Sequence, residues 1–151
     1  MPRFEDTIEV DVPVRVAYDQ WTQFNEFPQF MDGVESVTPL DATTLEWVAT
    51  IAGRRRTWRV RILDQTPDIR VAWESMDGGV SDGTVLFRSL SLDRTVVTLR
   101  LEVEPDGPME ALGAPAGLLE GQGRANLRRF KDLVEERLVP PGPWRGRVDP
   151  G

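Results

Sequence analysis

Hydrophobic positions along the chain recur first every second residue and later every three or four, which separates a strand-rich body from a terminal helix. In Phe4–Val12, Ile8, Val10 and Val12 alternate with Thr7, Glu9 and Asp11, the pattern of an amphipathic strand. Pro13 suits the first turn of a helix, where a missing N–H is no loss, and Val14, Ala17, Tyr18 and Trp21 follow at helical spacing. A second short helix is expected around Glu26–Met31, with Phe27, Phe30 and Met31 as its apolar contacts and Pro28 in its first turn.

Beyond Gly33 the pattern is extended. Val34 and Val37 lead to a turn at Pro39–Ala42; Leu45, Trp47, Ala49 and Ile51 then share one face of a strand. Ala52-Gly53 marks a hairpin, and Trp58, Val60 and Ile62 share a face of the next strand. A turn at Thr66-Pro67-Asp68 opens a strand with Ile69, Val71 and Trp73 on one side, and Val85 and Phe87 follow on another. Val97, Leu99, Leu101 and Val103 alternate with Thr98, Arg100, Glu102 and Glu104, the clearest period-two signal in the chain. One sheet face is therefore apolar and rich in tryptophan. On the other, Arg59, Arg61 and Arg100 are expected to meet Glu46, Glu74 and Glu102 across strands, as on the wet side of an antiparallel sheet.

From Leu118 to Leu138 an apolar stripe of Leu119, Leu127, Phe130, Val134 and Leu138 opposes Arg124, Arg128, Lys131, Asp132 and Glu135, which predicts a long amphipathic helix. Pro140-Pro141-Gly142-Pro143 ends it. Strand, two short helices, about six strands and a long helix together predict an α+β domain. Its curved antiparallel sheet of about seven strands would wrap around the C-terminal helix. Gly113, Gly117, Gly121 and Gly123 thin the helix where it enters, so an apolar cavity is expected there. A core packed to normal density is the competing expectation.

Composition narrows the chemistry. Of 151 residues, 40% are hydrophobic and 28% charged, as in an ordinary globular domain. A formal net charge of −7, with Arg54-Arg55-Arg56 the one dense basic run, argues against nucleic-acid partners and against attraction to anionic lipid. No apolar run is long enough to insert in a membrane, and the acidic N-terminal residues lack a secretory h-region, so a cytoplasmic location is expected. The chain has no histidine and no cysteine, which closes serine–histidine, cysteine–histidine and zinc-hydrolase chemistry to it acting alone. Asp77 and Asp82 around a Gly-Gly turn do not reproduce an EF-hand, and the glycines of 113–123 lack a phosphate-loop ending. No metal, nucleotide or other cofactor is expected.

Several segments in order resemble the START-like, Bet v 1-like (SRPBCC) superfamily, and within it the bacterial polyketide cyclase/dehydrase and coenzyme Q-binding group. They are Ile8–Val16 (IEVDVPVRV), Phe27–Val37 (FPQFMDGVESV), Trp58–Ile62 (WRVRI), Ile69–Ser75 (IRVAWES), Gly79–Phe87 (GVSDGTVLF) and Leu127–Glu135 (LRRFKDLVE). The resemblance implies a helix-grip fold with an elongated pocket, here a ligand-binding domain over 1–139 followed by a flexible Pro/Gly-rich tail over 140–151. It implies binding or carriage of a hydrophobic small molecule that is polyketide, quinone or lipid-like. The alternatives are a polyketide cyclase, aromatase or dehydratase, and a non-enzymatic interaction or stress-associated protein. No catalytic set can be carried over to this chain, and either a monomer or a homodimer fits.

By parity Trp47, Trp58 and Trp73 point inward, and their indole N–H groups need acceptors that a ligand carbonyl or hydroxyl can supply; core packing is the alternative for each. Phe87 and Leu99 join them as candidate lining residues, as do Leu127 and Phe130 from the helix. Phe30 and Met31 are expected near the pocket mouth. Tyr18, the single tyrosine, offers a hydroxyl to a ligand oxygen, although its place on the first helix favours packing.

Overall fold

The computed structural model describes residues 3–31, 33–51, 53–76, 82–102 and 118–137. Expectations for Asp77, Val103, Gly113, Gly117 and Leu138, for the side chain of Leu119, and for the 140–151 tail lie outside these residues. Strand β1 (Arg3–Val10) is followed by helix α1 (Val14–Trp21), a 3-10 helix (Phe24–Gln29) and six strands. These are β2 (Val34–Pro39), β3 (Thr44–Ile51), β4 (Arg54–Thr66), β5 (Arg70–Met76), β6 (Asp82–Ser91) and β7 (Arg94–Glu102). Helix α2 (Leu118–Arg137) comes last. The strands form one antiparallel sheet in the order β1-β7-β6-β5-β4-β3-β2, the curled sheet and C-terminal helix of a helix-grip fold.

Local chemistry explains where the elements start and stop. Pro13 is the N-cap of α1 rather than its first residue, and its carbonyl accepts the N–H groups of Val16 and Ala17 at 3.0 and 3.1 Å. Thr22 closes the helix by returning both its N–H and its hydroxyl to the Tyr18 carbonyl, each at 3.1 Å. The next helix begins earlier than the sequence suggests and is 3-10, which accommodates Pro28 within six residues. Between β2 and β3, Asp41 accepts the N–H groups of Thr43 and Thr44 at 2.9 Å, an Asx turn whose first bond, from Thr43, does most to hold that carboxyl below its ordinary pKa. Gly53 takes φ +80° in the β3–β4 hairpin, a conformation that favours glycine.

Cross-strand register sets the two faces. Phe4, Leu101, Gly83, Trp73 and Ile62 are successive partners across five strands, so all five lie on the side facing α2. Glu5, Arg100, Thr84 and Ala72 form the neighbouring row on the opposite side. There Arg100 pairs with Glu5 at 2.5 Å and Arg61 with Glu74 at 3.6 Å. Both arginines meet glutamates as expected, although the partner of Arg100 comes from β1. A bulge at Leu63 shifts the register of β4, bringing Gln65 rather than Asp64 opposite the inward Val71. Ile69 is 50% exposed in the turn before β5, because Asp68 adopts φ 65° and the Ile69 N–H closes onto Thr66. The strand assigned to it from alternation begins one residue later.

Helix α2 buries Gly123, Leu127, Phe130 and Val134 and exposes Arg124, Arg128, Asp132 and Glu136. It runs with β1 and is fastened at both ends. Gly123 lies against the Phe4 ring and Arg124 pairs with Asp6 at 3.6 Å. Twelve residues of sequence cover most of its length before Glu135, which accepts the Asp11 N–H at 2.8 Å and binds Lys131. Burial alone would raise the pKa of Glu135, but these two donors and the lysine charge hold it below its ordinary value of 4.5. Among the described residues no helix is long and apolar enough to cross a membrane.

Candidate functional site

The concave face of the sheet, closed over by α1 and α2, is graded along the strands. Toward α1 it is sealed: Val10, Val71, Val85 and Val97 are all 0% exposed. Toward the far end the inward residues Trp58, Trp73 and Leu101 are only partly buried, and Trp47 is intermediate as well. These large apolar side chains point inward yet keep accessible surface, unlike the valines at the other end.

The expected lining residues divide along this gradient. Trp47 and Trp58 are cross-strand partners whose rings stack at 5.8 Å and 20°. Trp73 lies over its partner Gly83, where a Cβ would come within 2.2 Å of indole Cζ2. That contact is why a glycine stands in the middle of an inward row. Phe87, Leu99, Leu127 and Phe130 are buried at the sealed end, Phe87 edge-on to Tyr18 at 5.5 Å. Tyr18 is itself fully buried. Phe30 and Met31, expected beside an entrance, are 1% and 8% exposed, and Phe30 packs between Trp21 and Phe130. These two therefore belong to the interior wall, while the accessible inward surface lies with Trp58, Trp73 and Leu101. The 3-10 helix draws its phenylalanines inward to cover the short helix α1, which closes that end.

Pattern reading did not include Trp21, Phe27 and Gln20 among the site residues. Trp21 joins Phe27, Phe30 and Phe130 in one ring cluster, and Phe27 links it to Trp47 at 5.4 Å. The helical spacing of Trp21 from Tyr18 already placed it inward, a signal by which it could have been found. Gln20 carried no such signal, since a polar residue on a short amphipathic helix reads as solvent-facing. It is 0% exposed, and its side-chain oxygen and nitrogen have no hydrogen-bond partner among the described residues. The indole nitrogens of Trp21 and Trp47 are in the same condition.

Gly123 of α2 also acts differently from the expectation of a gap. At Gly123 a Cβ would stand 2.5 Å from Phe4 Cε2, so the missing side chain admits a ring rather than leaving space. A groove of about 570 Å³ lies among Glu5, Leu63, Glu74, Thr84, Arg100 and Glu102, and it is bordered by Trp73 and Gly83 as well. Its charged rim suits water better than an apolar molecule. Among the described residues, no cluster of three or more histidine, cysteine or acidic side chains is placed to hold a metal ion.

Comparison with known proteins agrees with this architecture. The sequence profile of the family described as polyketide cyclase / dehydrase and lipid transport matches residues 10–132. An uncharacterized 17.2 kDa protein of Streptomyces lincolnensis is 42% identical over 149 residues, covering 98% of this chain and 99% of its own. Among solved structures, the Zhui aromatase/cyclase of a Streptomyces species superposes with a TM-score of 0.73 at 18% identity, over 95% of this chain and 99% of that one. A START superfamily protein from Mycobacterium smegmatis gives 0.70 at 15% identity, over 90% and 96%. The two structures speak to the fold, and the profile, which runs from the end of β1 into α2, speaks to descent. The chain belongs to the polyketide cyclase / dehydrase and lipid transport family.

Proposed function

We propose that the protein binds and carries a hydrophobic small molecule of about 300–500 Da beneath the concave face, a size that suits pockets of this class. The observation that carries this reading is the partial exposure of Trp47, Trp58 and Trp73, three inward indoles on a face whose other end is sealed. A globular core has no reason to leave inward tryptophans accessible, because each would gain about 25 cal/mol for every further Å² of apolar surface covered. A ligand lying along them recovers that term. A quinone, an aromatic polyketide or a lipid-like molecule has the required surface.

The test is tryptophan fluorescence titration with a quinone, an aromatic polyketide and a fatty acid, repeated on Trp73→Ala. A saturable change is expected for at least one compound, with affinity about tenfold lower in the variant, equivalent to about 1.4 kcal/mol. Absence of saturation with every compound would contradict the reading.

Ring closure or dehydration of a polyketide is the second reading, supported by the family description and by the likeness in fold to an aromatase/cyclase. In that case the concave face folds a flexible chain and lowers the entropic barrier to cyclisation. Incubation with a poly-β-ketone substrate separates the two readings, since a carrier leaves the product distribution at that of the uncatalysed reaction.

A further inference from the structure

We infer that Arg54 and Arg56 form an anion-recognising rim at the accessible end of the concave face. The molecule carried there ends in a carboxylate, held by this rim while its apolar body lies along Trp58 and Trp47. The inference rests on the carrier reading and adds to it the charge and the direction of the ligand.

Cross-strand register fixes which arginines turn inward. Along the β3–β4 pair, Leu45 lies opposite Val60, Trp47 opposite Trp58, Ala49 opposite Arg56 and Ile51 opposite Arg54. Leu45, Val60 and Ala49 are buried, which marks this as the inward face. Arg55 has the opposite parity and is engaged by Glu35 at 3.0 Å. Exposure rises steadily along β4 toward the hairpin: Val60 is buried, Trp58 and Arg56 are half-buried, and Arg54 is exposed. The stacked Trp47 and Trp58 rings come just before Arg56, so the aromatic lining ends on cations.

Charge is otherwise scarce on this face. Among the described strand residues of inward parity, the one other charged side chain is Asp6, which pairs with Arg124 of α2 at 3.6 Å. Arg54 has no carboxylate within ion-pair distance among the described residues. Arg56 is already engaged within the protein, and the five donors of a guanidinium leave room for a second acceptor. A hairpin tip needs only solvation, which the exposed Arg54 and Arg55 provide. Half-burial of Arg56 beside the indoles carries a desolvation cost that a bound anion offsets.

The chemistry of the rim specifies the head group. A guanidinium fork matches a carboxylate through two parallel N–H bonds, and partial burial strengthens them relative to open water. The net charge of −7 selects among anions, because a monoanion approaches at less cost than a dianion such as a phosphate monoester. Position gives the direction of binding. The far end of the face is lined by the sealed Val10, Val71, Val85 and Val97, which suit an apolar tail. The tail therefore enters first, and the carboxylate stays at the rim, where it keeps part of its hydration.

Fluorescence titration with 11-(dansylamino)undecanoate and with its methyl ester, two probes that share one apolar body and differ in charge, tests the inference. The wild type is expected to bind the acid about tenfold more tightly than the ester. In the double variant Arg54→Gln/Arg56→Gln the preference should vanish, through loss of acid affinity with ester affinity unchanged. Arg55→Gln/Arg59→Gln removes the same charge from the outward side and should keep the preference. Equal binding of acid and ester by the wild type would overturn the rim and leave the carrier reading standing. An equal fall in acid affinity in the outward variant would overturn it by making the effect one of overall charge. A parallel loss of both probes in the inward variant would overturn it by making the two arginines structural. If neither probe bound while a quinone or an aromatic polyketide did, the inference would fall alone; if nothing bound, the carrier reading would fall with it.

Discussion

Gly123 shows how one missing methyl group can fix the position of a helix. Alanine there would favour the helix by about 1 kcal/mol, but its Cβ would meet the Phe4 ring at 2.5 Å. Overpacking of this kind costs about 1–3 kcal/mol. The clash should prevail, so Gly123→Ala is expected to lower stability in urea by up to about 2 kcal/mol. Phe4→Leu in the same background should return part of the loss. An alanine variant as stable as the wild type would mean that α2 does not approach β1 so closely. Gln20 poses the opposite problem, because its burial depends on the closure of elements distant in sequence and leaves no trace in local periodicity. The inward direction of the three tryptophans was legible, since strict alternation ties each to aliphatic neighbours. Inward parity at the end of β4 was not, because the bulge at Leu63 substitutes Gln65 for Asp64 and nothing in the alternation announces an extra residue.

Helix α2 holds the fold together through its buried stripe and its two ties to β1 and the segment after it. Leu127 and Phe130 are 1% and 0% exposed, and truncation to alanine is expected to cost about 2–5 kcal/mol for each, read from denaturant midpoints. Losses below about 0.5 kcal/mol would place the stripe outside the core. Glu135 adds a dependence on pH. Its carboxylate is favoured in the folded chain, so its contribution is fully present above pH 4.5 and is lost as pH falls through the lower folded value. Glu135→Gln should flatten this part of the acid limb, and a variant profile superimposable on the wild type would remove Glu135 as a fastening. The long helix and the strands were evident from periodicity. The closed end was not, because the expectation for Phe30 and Met31 treated the short helices as flanks of an entrance. Their aromatic side chains instead fold inward on Trp21 and Phe130.

Across the molecule, sheet curvature, a helix along one edge and a graded concave face leave the valine-lined end sealed and the indole-lined end partly accessible. Family membership accounts for the architecture, and the gradient suggests how this member uses it. The groove between Glu74 and Arg100 is the geometric competitor for a ligand, and the two sites are distinguishable in solution. Nitrogen-15 NMR of the labelled protein, titrated with the tightest-binding compound of the panel, reads both at once. The account predicts saturable shifts of the indole N–H resonances of Trp47 and Trp58, which lie away from that groove, with the backbone amides of Glu5, Thr84 and Arg100 nearly unmoved. Shifts confined to Glu5, Thr84, Arg100 and the bordering Trp73, with the Trp47 and Trp58 indoles unchanged, would contradict it.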